Sequence, residues 1–189
     1  KALRYRRGVK QRAAAVDRLS GGRLGYVHIS SMDDPSFRSV YADILGKYND
    51  REGIVIDTRF NGGGRLHEDI EILFSGKKYF TQVVRGREAC DMPSRRWNKP
   101  SIMVTCEANY SNAHGTPWVY QHQGIGKVVG MPVPGTMTSV SWETLQDPTL
   151  YFGIPIVGYR LPDGSYLENK QLEPDVMIAN SPEKIIKGE

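Results

Sequence analysis

Apolar positions along this chain recur in two periods, and the order in which they alternate predicts the architecture. Gly25-Tyr26-Val27-His28-Ile29 reads as a strand, with Tyr26 and His28 on one of its faces. Asp33-Asp34-Pro35-Ser36 has the chemistry of a helix start, and Phe37, Val40, Tyr41, Ile44 and Leu45 supply the apolar stripe behind it. Gly53 to Phe60 is a near-continuous apolar run, hence a buried strand. Asn61-Gly62-Gly63-Gly64 follows, and helical spacing resumes at Leu66, Ile70 and Phe74. This β-α-β-loop-α order predicts parallel strands joined by crossover helices.

Further along, Tyr79 to Val84 has strand character, and Gly86 to Lys99 reads as a charged loop. Ser101 to Cys106 is a second apolar run, followed by a turn to Ser111 and a helical stretch from Thr116 to His122. Gly126 to Gly130 is a strand and Met131 to Gly135 an irregular turn. Thr138 to Ile178 reads as β-hairpins, with strands at Ser139–Trp142 and Ile154–Tyr159 and a turn at Pro162–Ser165. Residues 3–19 read as a helix or an extended linker, and residues 181–189 as a polar tail. The expected organisation is a basic lead-in over 1–22, one domain over 23–180, and the tail.

Composition adds limits. With 189 residues, 39% hydrophobic and 24% charged, the chain is an ordinary globular one with length enough for a sizeable core. Cys90 and Cys106 make no disulfide framework, and the four histidines show no metal-ligand spacing, so no metal or other cofactor is expected. No apolar stretch reaches the length of a membrane span. The net charge of +4 is uneven: the first 23 positions hold eight basic residues and one acid, +7, leaving −3 elsewhere. A basic arm without interleaved aromatics reads as a solvated helix face, and nucleic acid is not expected as a partner. The chain opens on Lys1, with no signal peptide, and is read as a fragment of a longer polypeptide from which a signal could have been lost.

Two stretches carry candidate chemistry. Ser111 sits where an apolar strand turns into a helix. The first N–H groups of a helix lack helical partners, and the dipole favours negative charge there. A serine nucleophile at this place would have the Asn112 N–H facing an oxyanion; the plainer reading is an ordinary helix N-cap. Asn61-Gly62-Gly63-Gly64 lets the backbone approach a ligand closely. It matches no phosphate-loop pattern, which leaves a simple chain reversal or an oxyanion-donor loop opposite the serine.

Taken together, Asp57-x-Arg59-Phe60-Asn61-Gly62-Gly63-Gly64, Glu107-x-x-x-Ser111-Asn112 and Tyr166-Leu167-Glu168-Asn169-x-x-Leu172-Glu173-Pro174-Asp175 resemble the catalytic domain of tail-specific, C-terminal processing serine peptidases, and within it the tricorn-type core. The resemblance runs from about Tyr5 to Ile178. It implies an α/β fold of the crotonase-like kind, a spiral of β-β-α units with a C-terminal β-hairpin region. It implies peptide hydrolysis through Ser111, with Gly64 and Asn112 N–H groups as the oxyanion hole. The Ser-Lys branch of the family is contradicted, because Thr136 holds the lysine's place in Gly135-Thr136-Met137-Thr138. The tricorn-type branch implies a Ser-His pair, supported by a glutamate that matches Glu168, and it places that pair upstream of a PDZ-like domain that precedes this chain.

Without the resemblance, Glu168 is a surface carboxylate on a hairpin. None of His28, His67, His114 and His122 is a compelling base from its spacing. Gly63, Asp91 and Thr136 are substrate-pocket candidates, Asp91 as a partner for a basic side chain. The expected partners are a peptide substrate, the upstream PDZ-like and Ser-His segments of the parent chain, and further copies in a homo-oligomer. The resemblance points to the cytoplasm, or to the periplasm if a signal was removed. The fragment alone is expected to be nearly inactive. The alternatives are a non-catalytic ligand- or peptide-binding module of the same fold, for which Ser111 merely caps its helix, and an acyl-CoA enzyme of the crotonase kind, which needs the two N–H donors but no serine.

Overall fold

A computed structural model describes residues 2–187 of the chain. Its centre is a five-stranded, wholly parallel sheet in the order β1-β2-β5-β6-β9, where β1 is Leu24–His28, β2 Gly53–Asp57, β5 Ser101–Thr105, β6 Lys127–Gly130 and β9 Val176–Met177. The intervening elements are α2 (Asp34–Ala42), continued by a π-helical turn over Asp43–Lys47, α3 (His67–Ser75) and α4 (Asn112–His122). The β-α-β pattern of the sequence is borne out, and so are the three helices it required.

Register explains the core. Val27, Ile56, Met103 and Val128 stand in register, each beside the next, across four strands and are all buried. Val40 and Ile44, Ile70, Leu73 and Phe74, and Ala113 and Tyr120 close over them from the three helical segments. Each such aliphatic or aromatic side chain contributes about 1.5–3 kcal/mol by leaving water. Asp33 caps α2 by accepting the Ser36 N–H at 2.9 Å, with Pro35 in the first turn, as its sequence required.

Residues 2–19 are a helix, α1, rather than an extended linker. No residue of α1 is fully buried. It is held to the sheet edge by polar contacts: Tyr5 to His28 at 2.8 Å, Arg12 to the Tyr26 hydroxyl at 2.7 Å, and Asp17 to Arg51 at 3.2 Å. Its basic residues thus include one, Arg12, with a structural task.

Two expectations are corrected. The segment from Gly86 to Lys99 is not all loop: β4 (Arg87–Met92) pairs antiparallel with β3 (Phe80–Val84). Its sequence lacks alternation because the ribbon is exposed or half-exposed on both faces, leaving no side to reserve for apolar residues. The C-terminal region is not all hairpin either. After β7 (Ser139–Thr144) and β8 (Tyr151–Val157), which form the expected antiparallel ribbon, the chain returns as β9 beside β6. At the tail, Pro182–Lys187 forms a short helix, α5, and positions 188–189 lie outside the described residues. Among the described residues no helix is long and apolar enough to cross a membrane.

Because all five strands run the same way, their C-terminal ends share one edge. β2 and β5 are adjacent, so the loops that leave them, 58–66 and 106–111, are adjacent too. That juxtaposition places the candidate site.

Candidate active site

Ser111 does not cap α4. It sits at the N-cap position with φ 56° and ψ −122°, and its side chain makes no capping hydrogen bond. The plain N-cap reading is therefore overturned. A non-glycine residue in such a conformation costs on the order of 1–3 kcal/mol and persists only where its surroundings over-determine it. Here they do. Tyr110 N–H donates to Asn61 O at 3.0 Å, Ser111 N–H to the Thr136 hydroxyl at 3.1 Å, and His114 N–H to Ser111 O at 2.7 Å.

Three buried asparagines lock the two loops together. Asn61 donates to Ile29 O at 2.9 Å and accepts Gly63 N–H at 2.8 Å. Asn109 donates to the Thr58 hydroxyl at 3.0 Å and to Ala113 O at 3.3 Å. Asn112 accepts Leu66 N–H at 2.8 Å and donates to His67 Nδ1 at 2.8 Å. An amide is both donor and acceptor, so it can close a backbone that has no ladder of its own. In the sequence these asparagines stand within the quoted motifs, with no part assigned to their side chains. The available signal was a run of amides beside strands whose other residues are apolar.

The glycine loop meets the serine. A methyl group on Gly63 would lie 2.7 Å from Ser111 Cβ and 3.1 Å from Asn112 N, so the loop's backbone is in contact with the turn at Ser111. Gly64 has φ 135°, and a Cβ there would strike Met32 O. Gly62 has open space and an ordinary φ, so two of the three glycines, not all three, are sterically required. Gly63 N–H is taken by Asn61. Gly64 N–H, one peptide further on, and Asn112 N–H, at the positive end of α4, make no hydrogen bond among the described residues. Free N–H groups stabilise an oxyanion where they converge on one point, and these two belong to the loop and the turn that meet at the half-buried Ser111.

Glu168 is half-buried. Its Oε2 accepts Thr138 N–H at 2.7 Å, two residues from the Thr136 hydroxyl that holds Ser111. Burial works to raise its pKa, but hydrogen bonds from Thr138 and Met137 and the nearness of His114 outweigh it, and the carboxyl is held below its ordinary value.

Each histidine has a settled place. His28 is bound on both ring nitrogens, to Tyr5 and to Arg59 O. His67 lies beside the site, but its Nδ1 accepts from Asn112, whose orientation is fixed by Leu66 N–H. A neutral His67 then carries its proton on Nε2 and has no lone pair free to take the serine's. His114 is fully buried in the first turn of α4, and neither ring nitrogen has a hydrogen-bond partner among the described residues. Burial lowers its pKa, with the Lys170 backbone, near but outside bonding geometry, and the Glu168 charge opposing. His122 stacks on Trp118 and bonds its carbonyl at the far end of α4.

Of the pocket candidates, Gly63 and Thr136 touch Ser111. Asp91 lies on β4 with its carboxylate bound to Lys78 at 2.6 Å and to Thr81 at 3.1 Å, and no contact joins it to the serine. A cleft of about 270 Å³ opens where the same two loops leave the sheet, lined by Arg59, Phe60, Cys106 and Glu107 among others; Ser111 is not part of its wall. No cluster of metal-ligating side chains occurs among the described residues.

The sequence model of peptidase family S41 matches residues 23–178. Tricorn protease homolog 1 of Streptomyces coelicolor is 30% identical over 191 residues, which is 98% of this chain and 17% of that protein. Tricorn protease of Thermoplasma volcanium is 28% identical over 185 residues, 96% of this chain and 18% of that protein. This chain therefore spans less than a fifth of the length of either relative. Among solved structures, that of the tricorn protease superposes with a TM-score of 0.85 at 23% identity, covering 99% of this chain and 18% of the other. The mixed α/β fold is thus the one expected, and the crotonase-like description is consistent with it.

Proposed function

The chain belongs to peptidase family S41, and we propose that it is a serine-type peptidase domain in which Ser111 attacks the carbonyl carbon of a peptide bond. The observation that carries this reading is the strained, uncapped Ser111 in contact with Gly63, with the N–H groups of Gly64, one residue along the same loop, and Asn112, the next residue, left without a hydrogen-bond partner among the described residues. A hydroxyl is a poor nucleophile until a base takes its proton. That base is a histidine supplied by a Ser-His segment of the parent protein, as the tricorn-type resemblance implies; among the described residues no histidine ring hydrogen-bonds to the Ser111 hydroxyl, which supports this reading. Glu168 supports the histidine and stabilises its charged form.

As the Ser111 Oγ–carbon bond forms, the carbonyl oxygen takes negative charge and accepts from Gly64 and Asn112. Collapse breaks the carbon–nitrogen bond, the histidine's proton leaves on the amine, and water releases the acyl group by the same steps in reverse. The substrate class is peptides or oligopeptides. A role for Asp91 in favouring a basic side chain requires Lys78 to move aside.

The test is covalent labelling by a fluorophosphonate, in the full-length protein and in this chain alone. Ser111→Ala should abolish labelling of the full-length protein and lower peptide hydrolysis by roughly 10⁴-fold or more. The isolated chain should label at least about a hundredfold more slowly than the full-length protein, because base and nucleophile act as a unit. Undiminished hydrolysis by the Ser111→Ala protein would return the chain to a non-catalytic binding module. Fast labelling of the isolated chain would place the base among its own histidines.

A further inference from the structure

Residues 133–138 form a strap that runs beside residues 168–172. Val133 and Leu172 exchange backbone hydrogen bonds at 2.9 Å, and Asn169 N–H donates to Gly135 O at 3.0 Å. The strap touches both candidate catalytic residues, Glu168 at its carboxylate and Ser111 at its backbone amide. Thr138 N–H donates to the Glu168 carboxylate at 2.7 Å, and the Thr136 hydroxyl accepts Ser111 N–H at 3.1 Å. Met137, between them, is buried against Gly115 of α4, which keeps the strap from lifting.

We propose that Thr136 is a positioning residue for the nucleophile, its hydroxyl holding the Ser111 backbone amide and thereby fixing both the serine's strained conformation and the aim of the Asn112 N–H. The inference rests on the reading of Ser111 as nucleophile. Ser111 is the only residue whose φ and ψ must be held for both Oγ and the next N–H to point correctly, because its ψ sets the Asn112 peptide plane. Its carbonyl is held from within α4, by His114 and Gly115. Its N–H is held from outside α4, by Thr136 alone among the described residues. The hydroxyl's own proton is directed at Pro134 O, 3.4 Å away, which leaves its lone pairs facing the Ser111 amide. A lysine base would fill this place in a Ser-Lys enzyme. Threonine cannot take the serine's proton, but it can fix where the serine stands.

The same geometry separates the hydroxyl's part from the methyl group's. Thr136→Val keeps the shape and removes the acceptor; Thr136→Ser keeps the acceptor and removes the methyl group. In the full-length protein, Thr136→Val should slow fluorophosphonate labelling of Ser111 and kcat for peptide hydrolysis about tenfold, a size expected for one lost hydrogen bond with its donor left unpaired. KM should stay within about twofold, because the change acts on the reacting geometry rather than on substrate contacts. Thr136→Ser should restore labelling to within about threefold of the parent.

Labelling of Thr136→Val within threefold of the parent would overturn the proposal. So would Thr136→Ser being as slow as Thr136→Val, since the methyl group would then be what matters. Should Thr136→Val fail to fold, Thr136→Ala against Thr136→Ser gives the same contrast. Failure of the underlying reading looks different: the unsubstituted protein would not label at Ser111 at all.

Discussion

Two buried polar clusters begin four residues apart, at Asp57 and at Asn61, and they are built on opposite principles. The first is ionic. Asp57 ends β2, is buried, and accepts from Arg59 through three N–H groups at 2.7–3.0 Å and from the Tyr26 hydroxyl at 2.6 Å, with Arg12 of α1 at 3.6 Å. The second is neutral, made of Asn61, Asn109 and Asn112. The ionic cluster ties a helix to the sheet and fixes where β2 ends. The amide cluster ties backbone to backbone within the loops that carry Ser111 and Gly63. A charge can be strong, but its strength depends on pH and on exposure. An amide is weaker and directional at both ends, and it stays the same across the pH range in which a peptidase works. The difference predicts that damage to the amide cluster is read in both activity and stability, and damage to the ionic cluster in stability alone.

The sharpest way to break that comparison is Asn61→Leu. The substitution leaves Gly63 N–H and Ile29 C=O without the partner they now have, in a site that is fully buried. Each orphaned group costs about 1–3 kcal/mol, so a loss of about 3–4 kcal/mol is expected in urea unfolding. Labelling of Ser111 should fall by roughly a hundredfold or more at temperatures where the protein remains folded, because the Gly63–Gly64 peptide is no longer held against the serine. A variant that is destabilised yet labels at the parent rate would show that the amides hold the fold and not the site.

Asp57→Asn should give the reverse pattern. It leaves Arg59 without its counter-charge in a half-buried position and puts an NH₂ where Tyr26 and Arg59 need an acceptor. Removing one partner of a buried ion pair costs about 3–5 kcal/mol, and the partial exposure of Arg59 reduces this to about 2–3 kcal/mol. Labelling should stay within about threefold. The pH dependence is a further check. Burial works to raise the Asp57 pKa, but the hydrogen bonds from Arg59 and Tyr26 outweigh it and hold the carboxyl below its ordinary value. A depressed carboxylate contributes its stability above the unfolded value, near 3.9, and loses it as pH falls through the folded one. The gap between parent and variant should therefore be full at pH 6 and shrink below about pH 4.

The sequence made the positions of these clusters legible but not their wiring. Apolar runs and helical spacing were enough to place β1, β2, β5, β6 and the helices between them, because β1 and β2 bury residues on both faces and α2 and α3 turn an apolar stripe to the core. Ser111 and the glycine loop stand out as strand-turn-helix boundaries, but spacing alone leaves them as a helix cap and a chain reversal, and only the resemblance carried by the three motifs together implies a nucleophile and an oxyanion hole. What stayed hidden were features with no periodic signature. The strand at Arg87–Met92 has no buried face. The return of β9 to the sheet is two residues long and depends on the position of β6. The asparagines look in sequence like ordinary turn residues, and only the closeness of two loops 46 residues apart, seen in Leu66 and Asn112, turns them into a lock. Thr136 reads in the sequence as a residue in a lysine's place and a pocket candidate, and its contact with Ser111 N–H is a property of the strap's path.

His114 sharpens the comparison from another side, since it is buried and polar and belongs to neither cluster. Its two ring nitrogens have no hydrogen-bond partner among the described residues. His114→Leu should therefore be neutral or stabilising by up to about 2 kcal/mol at pH 7.5, since it removes orphaned polar atoms at similar volume. Burial lowers the folded-state pKa of His114, so the unfolded chain binds its proton first. The penalty this group brings is smallest above about pH 6.5 and grows as pH falls toward the folded value. His28 shifts in the same direction and for the same first cause, so part of the acid slope survives the substitution. Urea unfolding at pH 7.5 and pH 5.5 should show His114→Leu gaining on the parent at the lower pH. A variant less stable than the parent by more than about 1 kcal/mol at pH 7.5 would show that the imidazole is satisfied after all.

The smallest expected effect is at the outer end of the ionic cluster, and for that reason it tests the comparison most finely. Arg12 approaches Asp57 at 3.6 Å and donates to the Tyr26 hydroxyl at 2.7 Å, with its side chain 40% exposed. Asp57 already accepts from Arg59 and Tyr26 at shorter distances, so Arg12 adds attraction to a charge that is largely satisfied. Exposed pairs contribute about 0.2–1 kcal/mol and are screened by salt. Arg12→Gln should accordingly lower stability by less than about 1 kcal/mol at 50 mM salt and by less still at 500 mM, with no change in labelling. A loss above about 2 kcal/mol, or one that is independent of salt, would mean that α1 is anchored through this guanidinium and that the ionic cluster extends into the helix. In that case the basic face of α1, with no fully buried residue of its own, would be held to the domain by charge rather than by its remaining contacts with β1. The division between a cluster that positions the serine and one that merely ties a helix would then have to be redrawn around Arg12.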